Sequence, residues 1–515
     1  MVKDGKILLG KSGEEEIYIY PKMANRHGMI AGATGTGKTV TLKVMAESFS
    51  NLGVPVFLAD VKGDIAPMCM AGVDNDNVTS RVESMGLREA GFEYSAFPVN
   101  FWDVYGEKGM PLRTTVSEMG PLLLSRIMGL NDTQSDVLTV VFKIADDEGL
   151  VLTDTKDLKA MLAYVGEKAQ EYGPKYGNIA QTTINAIVRS VVAIESEGAD
   201  LFFGEPALGV TDWLCTDEDG RGMVQILDCQ KLILHPKMYS TFLLWMMSEL
   251  FEVLPEVGDL DKPRIVFFFD EAHMLFESAS KALLEKIEQV VKLIRSKGVG
   301  IYFITQNPSD IPDGVLAQLG NKVQHALRAY TPKEQKAVKA AAMGFRVNPE
   351  FDTFTTLQEL GTGKALVSVI DEEGVPTIVK HVKICPPQSN MGTMDESERL
   401  SNINNSVLYE KYNTPVDNDS AYEFLTRREA EVAETAIKEK EALTLTEKKK
   451  KEIEARKKST NKIAENAAKS TASTIGREVG KTVGNAIGGS FGKKVGGNLG
   501  ATLGRGLVGT FFGGK

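Results

Sequence analysis

Along the first 110 positions the apolar residues follow two spacings. Short continuous apolar runs at 7–9, 17–20, 28–31 and 54–59 read as strands, and 38–50 repeats its apolar positions at the helical period. The first two strands flank Ser12-Gly13 and predict a hairpin. Between 115 and 215 the pattern changes. The segments 122–128, 135–144, 158–165 and 179–194 all recur near every 3.6 residues, which predicts a mostly helical insert. Alternation then returns, with strands expected at 223–227, 264–269, 300–305 and 323–328 and helices at 238–254 and 281–296. Strands alternating with helices in this way predict an α/β fold with a mostly parallel sheet covered on both faces.

Beyond residue 385 the pattern fades. Residues 386–420 are rich in Pro, Ser, Asn and Asp and read as a linker after a core spanning 1–385. Residues 421–470 are dominated by Glu, Lys, Arg and Ala and predict a solvated helix or coiled coil, a helical C-terminal extension. In 471–515, glycine recurs at every fourth position from Gly476 to Gly504, each preceded by an apolar residue. Glycine costs about 1 kcal/mol per helical site, so such a helix needs a partner. The spacing predicts a glycine zipper seeking another helix or a bilayer surface, where Lys481, Lys493 and Lys494 suit anionic headgroups. A disordered Gly-rich tail is the alternative.

The chain has 515 residues, 43% hydrophobic and 25% charged, which excludes a wholly disordered, collagenous or disulfide-scaffold protein. Cys69, Cys215, Cys229 and Cys385 form no CxxC pair and suit a reducing compartment. Neither a secretion signal nor an apolar run of about 18 residues is legible. The expected location is cytoplasmic, with peripheral attachment to the inner membrane through the tail as the second expectation. Residues 421–515 hold 19 Lys/Arg against 11 Asp/Glu, and residues 1–420 hold 40 against 58. An acidic body does not advertise nucleic-acid binding, although a ring can line its hole with a few local cations.

The strongest chemical pattern is Gly32-Ala33-Thr34-Gly35-Thr36-Gly37-Lys38-Thr39, running into Val40 and the helix. It fits GxxxxGK[ST] between a strand and a helix, the context of a phosphate loop. Glycines let backbone N–H groups turn toward phosphates, and the helix N-terminus adds positive potential. Lys38 is expected on the β- and γ-phosphates of ATP, and the Thr39 hydroxyl on Mg²⁺. Two decoys fail the test: Gly361-Thr-Gly363-Lys364 lacks the first glycine at Gln358, and Gly480-Lys481-Thr482 lacks it at Ile475.

A second pattern, residues 264–271, ends an apolar strand on Asp270 and Glu271. Ligands bind at such strand ends in an open α/β sheet. Asp270 is expected to hold Mg²⁺ through water, and Glu271 to polarise the attacking water. Gln306, ending the next strand, is placed to sense the γ-phosphate. An arginine must neutralise charge on that phosphate, often from a neighbouring subunit. Arg295 is the first candidate and Arg328 the second. Asp60 and Asp64 read as solvated loop carboxylates, with tuning of Mg²⁺ or water as the alternative, and His27 and His273 as structural.

Taken together, the segments 27–39, 60–64, 269–273, 295–298 and 304–306 resemble the HerA/FtsK superfamily of ring ATPases. More closely they resemble the bacterial HerA-like proteins of the YjgR type (domain of unknown function 853). The resemblance implies a RecA-like P-loop NTPase core, a homo-oligomeric hexamer, and ATP-driven pumping or unwinding of double-stranded DNA, with Arg295 acting in trans. The core shows no obvious basic DNA-contacting loop, and its N-terminal segment is too short for HerA's barrel domain. A second reading is therefore a P-loop ATPase driving a protein or membrane-associated assembly. A scaffold that merely binds nucleotide is disfavoured, because base, metal ligand and sensor are all present.

Overall fold

Five-residue strands whose every position is buried, such as Val56–Asp60, Val224–Asp228 and Ile265–Phe269, require cover on both faces. The computed structural model describes residues 1–277 and 281–461. The glycine-zipper tail and the last residues of the charged segment lie outside them. The chain divides into two units, Met1–Arg428 and Glu429–Lys515.

The strands are β1 (Val2–Lys3), β2 (Lys6–Ser12), β3 (Glu15–Ile19), β4 (Gly28–Ala31), β5 (Val56–Asp60), β6 (Val99–Asp103) and β7 (Met110–Pro111), then β8 (Val224–Asp228), β9 (Ile265–Phe269), β10 (Val299–Thr305), β11 (Asn321–Gln324), β12 (Lys364–Ser368) and β13 (Lys380–Ile384). They form one sheet in the order β1-β2-β13-β12-β11-β4-β10-β9-β5-β8-β6-β7, with β3 paired to β2. From β11 to β7 all pairings are parallel. The flank from β12 to β1 is antiparallel. The result is the expected α/β architecture, with an antiparallel extension added.

Aromatic packing fills the centre: Phe57 stacks on Trp213 at 4.9 Å and Phe268 on Tyr302 at 5.2 Å. Helix Pro236–Val253 is apolar on most sides and buries eleven residues from Met238 to Leu250. Between β7 and β8 the chain is helical. Three of these helices start on a capping box, led by Thr115, Asn131 and Asp154.

Residues 386–420 differ from a linker. They carry helices Glu396–Asn404 and Tyr409–Tyr412, and Arg399, Ile403 and Tyr412 are buried. The guanidinium of Arg399 lies over the Phe101 ring of β6 at 4.9 Å and 3.9 Å from the Asp228 carboxylate of β8. Their polar composition reflects an outer face over a few anchoring side chains. The 421–461 stretch is one helix, Ala421–Asn461.

Candidate nucleotide site

The loop after β4 is pinned from three sides. Gly32 N–H donates to Thr305 O at the end of β10, and Ala33 N–H to Ala326 O just after β11. Thr36 O accepts from Gly363 N–H at 3.0 Å. Gly32, Gly35 and Gly37 have φ of 152°, 76° and 113°, and a Cβ on Gly32 would stand 2.5 Å from that of His325. Lys38 opens helix Lys38–Asn51, with its ammonium folded back onto Gly32 O (2.6 Å) and Ala33 O (3.2 Å). Burial, then the charge of Lys62, holds this ammonium below the usual lysine range, against the pull of Asp270 and Glu271. Thr39 and Val40 follow in the first turn, and Ala33 to Gly37 complete the loop.

Asp270 and Glu271 leave the end of β9, one strand removed from β4, with β10 between. Strand spacing puts the two strands about 10 Å apart, a gap the size of a triphosphate. The two motifs therefore face one place. Asp270 is buried. Its carboxylate takes Glu271 N–H at 2.9 Å, and its carbonyl takes the Tyr239 hydroxyl at 2.6 Å. Burial first, and Glu271 second, push the Asp270 carboxyl up to about 6. Glu271 adopts φ 48°, an uncommon conformation for a residue with a side chain, and Ala272 N–H anchors the turn to Ile304 O. Its carboxylate is 13% exposed, 4.0 Å from Lys62 Nζ on one side and 3.4 Å from His273 Nδ1 on the other.

Gln306 follows β10 and is exposed, lining a cleft of ≈ 620 Å³ with His273, Glu277 and Asp310. Arg295 lies elsewhere. It sits in the turn before β10, and the seven residues of that strand put about 23 Å between it and the Gln306 end. There it pairs with Asp259 at 3.8 Å and shares a cleft of ≈ 830 Å³ with Arg26, Lys292, Lys322 and Arg346. Arg328 is exposed beyond β11, donating to Leu360 O at 3.1 Å. So the chain sets Lys38, Thr39, Asp270, Glu271 and Gln306 just past the carboxyl ends of the central strands β4, β9 and β10, and Arg295 before the amino end of β10.

Asp60 is not a solvated loop carboxylate. It is buried and accepts from Gly63 N–H (2.7 Å), Ile65 N–H (3.2 Å) and Ala66 N–H (3.1 Å). His27 is held between Val291 O and Ile301 N–H, and burial lowers its pKa to about 4. Sequence reasoning missed His325. Its Nδ1 donates to Lys364 O at 3.0 Å, leaving Nε2 to accept from the Thr41 hydroxyl at 2.8 Å. It missed too that the rejected Gly361–Lys364 stretch is docked on the loop, where Arg81 grips Gly363 O at 2.8 Å. Neither contact has a local sequence pattern.

A glycine cradle on a parallel sheet, with the acidic strand one strand away, is the arrangement of a P-loop nucleoside triphosphatase. The chain belongs to the helicase HerA-like C-terminal family, whose model matches residues 6–515. It is similar to the DNA double-strand break repair helicase HerA of Sulfurisphaera tokodaii, 21% identical over 381 residues, 73% of this chain and 69% of the relative. The HerA of Sulfolobus acidocaldarius is 21% identical over 393 residues, 74% and 68% of the two chains. Among solved structures, VirB4 of Thermoanaerobacter pseudethanolicus shares the fold, with TM-score 0.50, 17% identity, and 75% and 97% of the two chains covered.

Proposed function

We propose that this ATPase hydrolyses ATP with Mg²⁺ at the carboxyl ends of β4, β10 and β9, and that hydrolysis moves or unwinds double-stranded DNA through a homohexameric ring. The single observation that carries the reading is the placement of β10, which delivers Gln306 just past its end, between the strand of the phosphate loop and the strand of the acid pair. On triphosphate arrival Lys38 exchanges its two loop carbonyls for β- and γ-phosphate oxygens, while loop N–H groups cradle the rest. The Thr39 hydroxyl and Asp270 carboxylate are hard oxygen donors. Among the described residues no group of three or more His, Cys, Asp or Glu forms an all-protein metal cage. That donor set fits Mg²⁺, which keeps waters and phosphate oxygens as its other ligands. Bound there, Mg²⁺ would neutralise phosphate charge.

Glu271 orients a water against the γ-phosphorus and takes its proton. The bond to the β–γ bridging oxygen breaks, leaving ADP and inorganic phosphate. Gln306 contacts the γ-phosphate or the water. Arg295 cannot reach its own loop across the strand length, so its reading is a finger offered to the next subunit, and the cationic cleft around it suits a neighbour's phosphates. DNA as the cargo rests on the HerA relatives.

The test is the ATPase rate of the purified chain with and without duplex DNA. The expected result is hydrolysis that duplex DNA stimulates and Lys38→Ala abolishes. Hydrolysis indifferent to DNA would transfer the reading to a motor for a protein or membrane-associated assembly. Among the described residues no helix is long and apolar enough to cross a membrane.

A further inference from the structure

The stretch Asp60–Asp64 is built as a rigid pedestal. The Asp60 carboxylate caps three backbone N–H groups of the turn. Gly63 sits at φ 80°, a left-handed backbone conformation that a residue with a Cβ adopts only under strain. The backbone of the turn is therefore fixed, and what it presents is Lys62. This side chain is 47% exposed, and its ammonium stands 4.0 Å from Glu271 and within electrostatic reach of Lys38. Two ammonium groups thus converge from β4 and β5 on the space the γ-phosphate would fill, with Glu271 at its rim. An ordinary surface ion pair needs no such pedestal.

We propose that Lys62 is a second phosphate-binding lysine, one that reads the γ-phosphate. The inference rests on the ATPase reading above. Without nucleotide, Lys62 leans on Glu271. With ATP, the γ-phosphate carries more charge than one carboxylate and draws the flexible ammonium away, which frees Glu271 for the attacking water. ADP lacks the group, so Lys62 returns to Glu271. Lys62 thereby discriminates triphosphate from diphosphate and touches the reacting group.

The experiment measures ATP and ADP affinity with Mg²⁺ in a Glu271→Gln background, where ATP survives and the resting ion pair is gone. Lys62→Ala is expected to weaken ATP about tenfold, leave ADP unchanged, and be restored by Lys62→Arg. Unaltered ATP affinity, or equal losses for ATP and ADP, overturns the proposal. Retained ADP binding shows that the variant is folded. Lys38→Ala in the same series separates the two levels. If Lys38→Ala binds nucleotide normally, the ATPase site itself is misassigned. If it binds none and Lys62→Ala is silent, only this inference fails.

Discussion

Glu271 holds a left-handed backbone conformation that costs about 1–2 kcal/mol for a residue with a Cβ. The fold tolerates it because Ala272 is tied to β10 and Asp270 caps the Glu271 N–H. Strain retained beside the phosphate loop aims a carboxylate into the site. Glu271→Gln keeps that shape and removes the proposed base. Nucleotide titration should show ATP still bound, and single-turnover assays should show hydrolysis slowed by at least about two orders of magnitude. Undiminished turnover would end the assignment of Glu271 as base. Asp60 gives a stability prediction. Its pKa is 3.8 ordinarily and about 6 in the fold, because burial, then Asp64, disfavours the anion. Between those values the folded chain holds the extra proton, so stability falls as pH rises from 4 to 6. Asp60→Asn abolishes this dependence. In urea unfolding, its stability relative to wild type should rise by about 2–3 kcal/mol between pH 3.5 and 7. A flat difference would mean that the three N–H bonds offset the cost of burying the Asp60 anion.

At the scale of elements, the phosphate loop depends on neighbours remote in the chain. Gly32 faces His325, and the two Cβ atoms cannot coexist at 2.5 Å. Gly32→Ala should abolish nucleotide binding while costing more than about 1 kcal/mol of stability. Full affinity in that variant would show that the β11 extension does not floor the loop. Residues 386–420 give a second case. Arg399 is buried between Phe101 and Asp228, and its other partner is Lys108 O at 3.3 Å. Arg399→Ala strands a buried carboxylate, so it should lower stability by about 3 kcal/mol in urea. A loss under about 0.5 kcal/mol would restore the linker reading.

At the scale of the molecule, the parallel sheet sets its candidate chemistry at the carboxyl ends of its central strands and Arg295 at the amino end of β10. Such a chain is incomplete alone if Arg295 serves a triphosphate. Arg295→Ala and Lys38→Ala chains should each be inactive, yet mixing them should recover part of the ATPase rate. Zero recovery at every ratio would remove the trans role. The body carries a net negative charge, so the cleft of Arg26, Lys292, Arg295, Lys322 and Arg346 is a local exception that average charge conceals.

Local spacing by itself determined the α/β alternation, the strand–loop–helix of residues 28–51, the acid pair ending β9 and the amide ending β10. Each of these is written in consecutive residues, because backbone geometry and strand burial act over a few positions. Tertiary structure alone decided the rest. β6, β12 and β13 are strands because partners bury them, and residues 386–420 pack because Arg399, Ile403 and Tyr412 find sites on distant elements. It also decided that Asp60 is a buried cap, that His325 floors the phosphate loop, and that Lys62 meets Glu271. Desolvation and charge proximity depend on what lies across space, and no order of residues along one chain states that directly.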